Sequence, residues 1–252
     1  MIFIKTAAEI DGIKKSCQVV ADVLRLIGSM VKPGVSTMEL DKAAEDFILS
    51  SGGTPAFKGY SQAGSVNFPA SICTSIDYAV VHGIPNNKPM LEGQILSVDV
   101  GVKKNGYYGD AARTFAVGNI SDVKNKLMKV TEESFRKGIE QAVKGSRVHD
   151  ISFEIQKHVE GNGFSVVRDL CGHGVGKFLH EDPSIPNYGK PGTGAKLKNG
   201  MTLAVEPMVN AGTWRVKVLD DGWTVVTADG EPSSHYENTV LVTNGEPEIL
   251  TV

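Results

Sequence analysis

Two segments of the chain carry the same signature, and this repetition limits the possible folds more than any other feature. Gly93-Gln-Ile-Leu-Ser-Val-Asp99 and Gly200-Met-Thr-Leu-Ala-Val-Glu206 both read Gly-x-x-Leu-x-Val-acid. Each is an apolar, β-prone run ending on a carboxylate. The segments around them repeat in the same order. Thr6-Ala-Ala-Glu9 is a capping box opening a long amphipathic helical pattern (Ile10, Ile13, Val19, Val20, Val23, Leu24, Ile27), which Lys32-Pro33-Gly34 stops. Ser36-Thr-Met-Glu39 opens a second helix to about Leu49, ended by Gly52-Gly53. In the second half a helical pattern runs from about Asp122 to Val143. The stretch from Lys144 to Ile151 then echoes Lys32 to Thr37, and a further helix runs to about Glu160, closed by Gly161-Asn-Gly163. Glu237-Asn-Thr-Val-Leu-Val-Thr-Asn-Gly245 resembles Asp110-Ala-Ala-Arg-Thr-Phe-Ala-Val-Gly118. Each half reads helix, helix, strands, and each delivers two acids on strands. The expectation is an internally duplicated α+β fold in one domain, 1–252, with halves of approximately 1–120 and 121–252. The halves should pack around a pseudo-two-fold axis, a central sheet between them and helices over it.

Asn105-Gly106 lies between two strand-like runs, the strongest short-range hairpin signal. A two-residue turn there pairs Lys104 with Tyr107, which offsets Asp99 and Asp110 by one diagonal step on the same face. Diagonal cross-strand neighbours are roughly 7–8 Å apart by Cα, near enough for two carboxylates to share an ion. Acids on a hairpin face are often simply solvated. Asp99, however, ends the apolar run Ile95-Leu96-Ser97-Val98, and Glu206 ends Leu203-Ala204-Val205, so both carboxylates are expected to be buried. Burying several unpaired carboxylates together is very costly, and divalent cations remove that cost.

The bulk numbers exclude some partners. With 41% hydrophobic and 22% charged residues the composition is ordinarily globular. A net charge of -3 provides no global basic field for nucleic acid or anionic membrane. The apolar run at Met1 to Ile4 is too short for a signal sequence, and no later stretch approaches the roughly 20 apolar residues of a membrane span. Cys17, Cys73 and Cys171 are odd in number and scattered, as suits reduced thiols. A cytoplasmic protein is expected.

Histidines are the remaining metal-capable groups. His173 lies in Cys171-Gly-His-Gly-Val-Gly176, His180 precedes Glu181-Asp182-Pro183, and His82 stands in Val81-His-Gly-Ile-Pro85. Taken singly, each reads more readily as a structural or surface residue. Taken with the acids, they form a pattern: His82-Gly-Ile-Pro, Asp99, Asn-Gly-Tyr with Gly109-Asp110, Gly172-His173-Gly-Val-Gly, His180-Glu, Ala204-Val205-Glu206-Pro207 and Tyr236-Glu237-Asn-Thr. This order and spacing resembles the type I methionine aminopeptidases over essentially the whole chain. The resemblance implies the pita-bread fold, whose halves are related by an approximate two-fold axis. It implies two divalent metal ions, with Asp99 on one, Asp110 and Glu237 bridging both, and His173 and Glu206 completing the other. Oxygen-rich ligands with one imidazole suit Mn²⁺, Fe²⁺ or Co²⁺, with Zn²⁺ possible.

By the same resemblance Glu206 doubles as general base, His180 hydrogen-bonds the scissile carbonyl, and His82 contacts the amide nitrogen on the leaving side. Tyr60, Phe68, Cys73 and Trp223 would surround the methionine side chain. The substrates implied are N-terminal methionyl peptides of nascent chains at the ribosome, taken by a cytoplasmic monomer with no membrane and no specific nucleic-acid partner. The chain departs from the family pattern at Phe57, at Leu179, at Asn238 and in a longer segment over 61–72. A tight leaving-side space would also make the chain keep its own Met1, because Ile2 is large and branched. Two alternatives share the fold: an X-Pro aminopeptidase or prolidase, and a non-catalytic peptide- or RNA-binding member. The first usually carries a large extra N-terminal domain, for which a first helix starting at about residue 7 leaves no room. The second typically loses metal ligands, and all five are present.

Overall fold

In the computed structural model, which describes residues 2–61 and 66–252, the capping boxes set the helix starts. Thr6 Oγ1 accepts the Glu9 N–H (3.3 Å) and Glu9 Oε2 accepts the Thr6 N–H (2.8 Å), opening α1 (Ala7–Met30). Ser36 and Glu39 make the same reciprocal pair, at 3.3 and 2.8 Å, for α2 (Thr37–Ser50). The second half follows with α3 (Asp122–Ile139) and α4 (Val148–Gly161). Only half of the cap survives there: Asp150 accepts the Arg147 N–H at 2.6 Å, and Arg147 has no side-chain oxygen to return the bond. Helix α3 stops short of Val143, because Val143 forms a parallel bridge with Thr243 instead. The expected fate of Met1 and part of the 61–72 segment fall on residues 1 and 62–65, outside the described residues.

The hairpin has the register its turn dictates. Asn105 and Gly106 take φ of 53° and 84°, and Lys104 pairs with Tyr107. Strands Ile95–Lys104 and Tyr107–Ala116 then run antiparallel for their full lengths. Among the described residues they belong to a nine-stranded sheet. Beyond Tyr107–Ala116 come Glu237–Leu241, Thr202–Val205, Cys171–Gly174 and Glu181–Pro186, every pairing antiparallel. Cys73–Ile76 adds to the Ile95–Lys104 strand. The duplicated signatures thus sit as two strand pairs either side of the line between Tyr107–Ala116 and Glu237–Leu241. That line is the pseudo-two-fold axis, and across it Asp99 corresponds to Glu206 and Asp110 to Glu237.

Strand alternation gives the sheet two unlike faces. Val98, Val100, Val102 and Ala111 pack against α1 and α2 in one buried cluster. Leu203, Val205, Val240 and Val242 pack against α3 and α4 in another, with Phe135 at its centre. All helices therefore lie on one side, and the intervening residues, Asp99, Asp110, Glu237 and Glu206 among them, face the other. No helix of the described residues is long and apolar enough to cross a membrane.

Helix α1 lies directly on the strand that carries Asp110. A Cβ on Gly109, built in the helix-facing direction, would come within 2.7 Å of the Cys17 backbone nitrogen. Gly109→Ala is expected to cost about 1–3 kcal/mol through forced separation of helix and sheet, seen as a lower midpoint in urea unfolding. An unchanged midpoint would mean that the helix can shift freely.

Candidate metal centre

Two neighbouring rows of the sheet place the ligand-type side chains. In the first, Cys73 pairs with Asp99, Asp99 with Ala112, and Ala112 with Glu237. Glu206 follows Val205, the partner of Asn238, and so comes beside Glu237. In the second row Gly101 pairs with Asp110, Thr239 with Ala204, and Ala204 with His173. Thr239 Oγ1 joins the two parts of this row, donating to Asp110 O (2.9 Å) and accepting from Asp110 N (3.1 Å). Ala112, Gly101 and Ala204 are small where a large side chain would fill the space between the acids.

The result is one lined cavity that holds Asp99, Asp110, His173, Glu206 and Glu237 together. Single ligand atoms of Asp110, His173 and Glu237 lie within 4.8 Å of one another. His173 Nε2 is 3.7 Å from Glu206 and 4.0 Å from Asp110. Its Nδ1 lies 2.9 Å from the Gly174 carbonyl, which holds the Nδ1–H tautomer and leaves the Nε2 lone pair facing the acids. The glycines beside it allow this strand to sit between two others. A Cβ on Gly172 would lie 2.4 Å from the Ala204 carbonyl oxygen, and one on Gly174 would lie 2.3 Å from that of Asp182.

The electrostatics call for a cation. Asp99 Oδ1 and Asp110 Oδ1 are buried and have no hydrogen-bond partner. Burial pushes all four carboxyls above the usual carboxylate range, Asp99 to about 7 and Glu206 to about 8. For Asp110 and Glu237 the neighbouring carboxylates push further in the same direction. Burial drives the imidazoles the other way, His173 to about 3 and His82 to about 4, with His180 also lowered. Neutral imidazole and unpartnered carboxylate oxygens are the donor set a divalent ion takes.

The other residues singled out in the sequence meet in the same cavity: His82, His180, Tyr60, Phe68, Cys73 and Trp223. His82 has φ of 59°, a conformation few non-glycine residues adopt. The Tyr60 hydroxyl lies 2.9 Å from His180 Nδ1, and the His180 ring meets that of His173 edge-on at 4.3 Å. Trp223 is held by Asp221, which accepts its backbone N–H at 2.8 Å, and its indole N–H donates to the Val66 carbonyl at 2.8 Å. Phe68 packs edge-on to Trp223 at 5.3 Å. Asp41 of α2 accepts the Ser71 and Ile72 N–H groups (2.8 and 3.0 Å), tethering the segment that leads to Cys73.

The departures from the family pattern also find places. Leu179 and Phe57 line the apolar end of the cavity, and the Phe57 ring covers Gly101, 2.7 Å from where a Cβ would be. Asn238 points to the opposite face, where its Oδ1 accepts from Arg113 (2.7 Å) and Thr251 (2.9 Å).

His235 escaped the sequence reading. It is 1% exposed, and its Nε2, which has no hydrogen-bond partner, faces Glu206 at 3.6 Å and Glu237 at 3.9 Å. Hydroxyls fix its backbone: Thr114 Oγ1 accepts its N–H (3.1 Å) and donates to its carbonyl (2.8 Å). The available signal was its spacing two residues before Glu237, which in extended chain shares a face.

Residues 11–244 match metallopeptidase family M24. The chain belongs to that family. It is 54% identical to the methionine aminopeptidase of Clostridium perfringens over 252 residues, covering 100% of this chain and 99% of that one. The crystal structure of methionine aminopeptidase from Thermotoga maritima superposes with a TM-score of 0.96 at 46% identity, covering 100% and 99% of the two chains. The prolidase of Pyrococcus furiosus shares the fold, at a TM-score of 0.79 and 23% identity, but only 65% of that longer chain is covered. The M24 fold and metallopeptidase chemistry thus agree with a buried carboxylate–histidine cluster.

A cation in this cavity should matter most when the acids are ionised. Their folded pKa values are raised, so in metal-free protein they destabilise the fold above the unfolded value of about 4, with the full penalty above about 8. Chelation is therefore expected to lower Tm more at about pH 8 than at about pH 5, with weaker metal binding at the lower pH adding to the contrast. Metal-free Glu206→Gln should melt higher than metal-free wild type at the upper pH. Equal melting temperatures there would rule out a repelling cluster.

Proposed function

We propose that the chain is an aminopeptidase that removes N-terminal methionine, using two divalent ions. Asp99 would hold one, Asp110 and Glu237 would bridge both, and His173 and Glu206 would complete the other. The observation that carries this reading is one cavity with two unlike ends. At one end stand unpartnered buried carboxylates, and at the other an apolar lining of Tyr60, Phe68, Cys73, Leu179 and Trp223. The 54% and 46% identities to methionine aminopeptidases support it. Bound there, such ions would polarise the scissile carbonyl and lower the pKa of a water, as peptide hydrolysis needs.

The side chains divide the remaining work. Glu206, the acid at the mouth of the cluster, takes a proton from the attacking water on its carboxylate and delivers it to the leaving amine. His180 is neutral because burial lowers its pKa, and Tyr60 is a neutral phenol because burial raises its own. With the Tyr60 O–H donating to Nδ1, the His180 proton resides on Nε2, from which it can donate to the scissile carbonyl oxygen. His82, also neutral, contacts the amide nitrogen on the leaving side. The methionine side chain is long, flexible and polarizable, and fits among rings and a protonated thiol. Trp223 offers it only an apolar face, because its N–H is already given to Val66. The protein is read as a cytoplasmic monomer acting on nascent chains at the ribosome.

Metal-loaded protein is expected to hydrolyse Met-Ala-Ser and to leave a Lys-Pro peptide intact. The reverse preference in a peptide-release assay would replace this reading with an X-Pro specificity. His180→Ala should lower kcat on Met-Ala-Ser by roughly 10²–10³, the size of one lost oxyanion donor, with metal content unchanged by elemental analysis. Loss of a metal ion from that variant would make His180 a ligand instead.

A further inference from the structure

The start of the first half and the middle of the second half are joined at one buried ion pair. Lys5 Nζ lies 2.5 Å from Glu181 Oε2, and the two side chains are 4% and 0% exposed. The partners are 176 positions apart in sequence. Both ends are anchored: the Lys5 N–H donates to the Gly200 carbonyl at 2.8 Å, and Ile2 forms a parallel bridge to Asp182. The second carboxylate oxygen of Glu181 is also engaged. Its Oε1 accepts the backbone N–H groups of Lys177 (2.7 Å) and Phe178 (3.1 Å). These residues open the short loop that ends in His180. The Gly176 carbonyl accepts the Tyr108 N–H at 2.8 Å, which fixes the other side of the loop to the hairpin.

We propose that the Lys5–Glu181 pair positions His180, by holding the Glu181 carboxylate where it ties down the 177–180 loop. The inference rests on the role given above to His180. The His180 ring itself has one hydrogen bond, to the Tyr60 hydroxyl, and an edge contact with His173. Neither contact fixes the backbone that carries the ring, so the 177–180 loop must supply that constraint. Burying a carboxylate is costly unless a cation lies close to it. Lys5 is that cation. Without it Glu181 would be drawn outward to solvent, and the Lys177 and Phe178 N–H groups would lose their acceptor. The N-terminal residues thereby act as a strap across the active-site loop, and Phe3, on that strap, packs against Phe178 at 6.2 Å between ring centroids.

Two double variants separate positioning from general stability, since neither leaves a lone buried charge. Lys5→Met with Glu181→Ala removes the acceptor, and Lys5→Met with Glu181→Gln keeps an amide oxygen for the two N–H groups. On metal-loaded enzyme with Met-Ala-Ser, the first is expected to lower kcat about 10-fold with KM within about 2-fold, as for a misplaced catalytic group. The second should return kcat to within about 3-fold of wild type, with metal content constant in both. In a His180→Ala background the first should change kcat by less than about 2-fold, because residues acting as one unit are not additive. A 10-fold loss that persists in the His180→Ala background would overturn the positioning role while leaving that of His180 intact, as would a first variant with wild-type kcat. A His180→Ala enzyme with wild-type kcat would overturn both.

Discussion

Repulsion among buried carboxylates is the constraint on which the rest of this structure turns. Four strands each bring one acid to the same face of the sheet, two of the carboxylate oxygens have no partner, and burial raises every one of the four pKa values. Arg113 gives only partial relief, lowering the Glu237 carboxyl pKa against the larger effects of burial and the other acids. Arg113, the nearest in sequence, lies on the opposite face, donating to the Ala112 and Glu237 carbonyls and stacked 4.2 Å over Tyr236. Lys5 is committed to Glu181. Such an arrangement is unfavourable by itself, and it persists because the helix face of the same strands is a large apolar core. Packing holds the acids together, and a divalent cation bound among them would offset their repulsion.

Duplication explains how so few elements achieve this. One strand pair supplies Asp99 and Asp110, its counterpart supplies Glu206 and Glu237, and the axis between them brings the four to the middle of the sheet. The symmetry is broken where the chemistry needs it. His173 has no counterpart among the metal-type side chains of the first half, where strand Cys73–Ile76 places a thiol beside Asp99 instead. The imidazole end becomes the polar half of the cavity and the thiol end the apolar half.

Much of this was legible in the residue order because it rests on local rules. The Asn105-Gly106 turn sets the hairpin register, and the register sets the relation of Asp99 to Asp110. Capping boxes mark two helix starts to the residue. What was not legible depends on contacts between distant segments. Helix α3 ends at Ile139 because Val143 is drawn into a bridge with Thr243, a tertiary contact that overrides helical periodicity. His235 has no motif of its own and is placed by the Ser97 and Thr114 hydroxyls, over a hundred positions earlier. The Lys5–Glu181 pair joins residues whose types and neighbours give no hint of each other. The roles of Tyr60, Phe68 and Trp223 came only by family resemblance, since aromatic residues in loops read equally well as ordinary packing.

The same burial that makes the carboxylates costly makes the histidines useful. A charged imidazolium beside the acids would compete with a metal ion for them. Desolvation prevents this by lowering the pKa of His82, His173, His180 and His235 together. His173 then offers a lone pair, because its Nδ1 proton is given to the Gly174 carbonyl. His180 Nδ1 is paired with the Tyr60 hydroxyl, and a Tyr60 O–H donated there would leave the ring hydrogen on Nε2. Two rings of identical chemistry, 4.3 Å apart, thus have unlike Nδ1 partners, a backbone carbonyl for one and a phenol for the other. A displacement of the 177–180 loop would carry the His180 ring away from the Tyr60 hydroxyl. The ion pair behind the loop would then bear on both the position of that ring and its hydrogen bond.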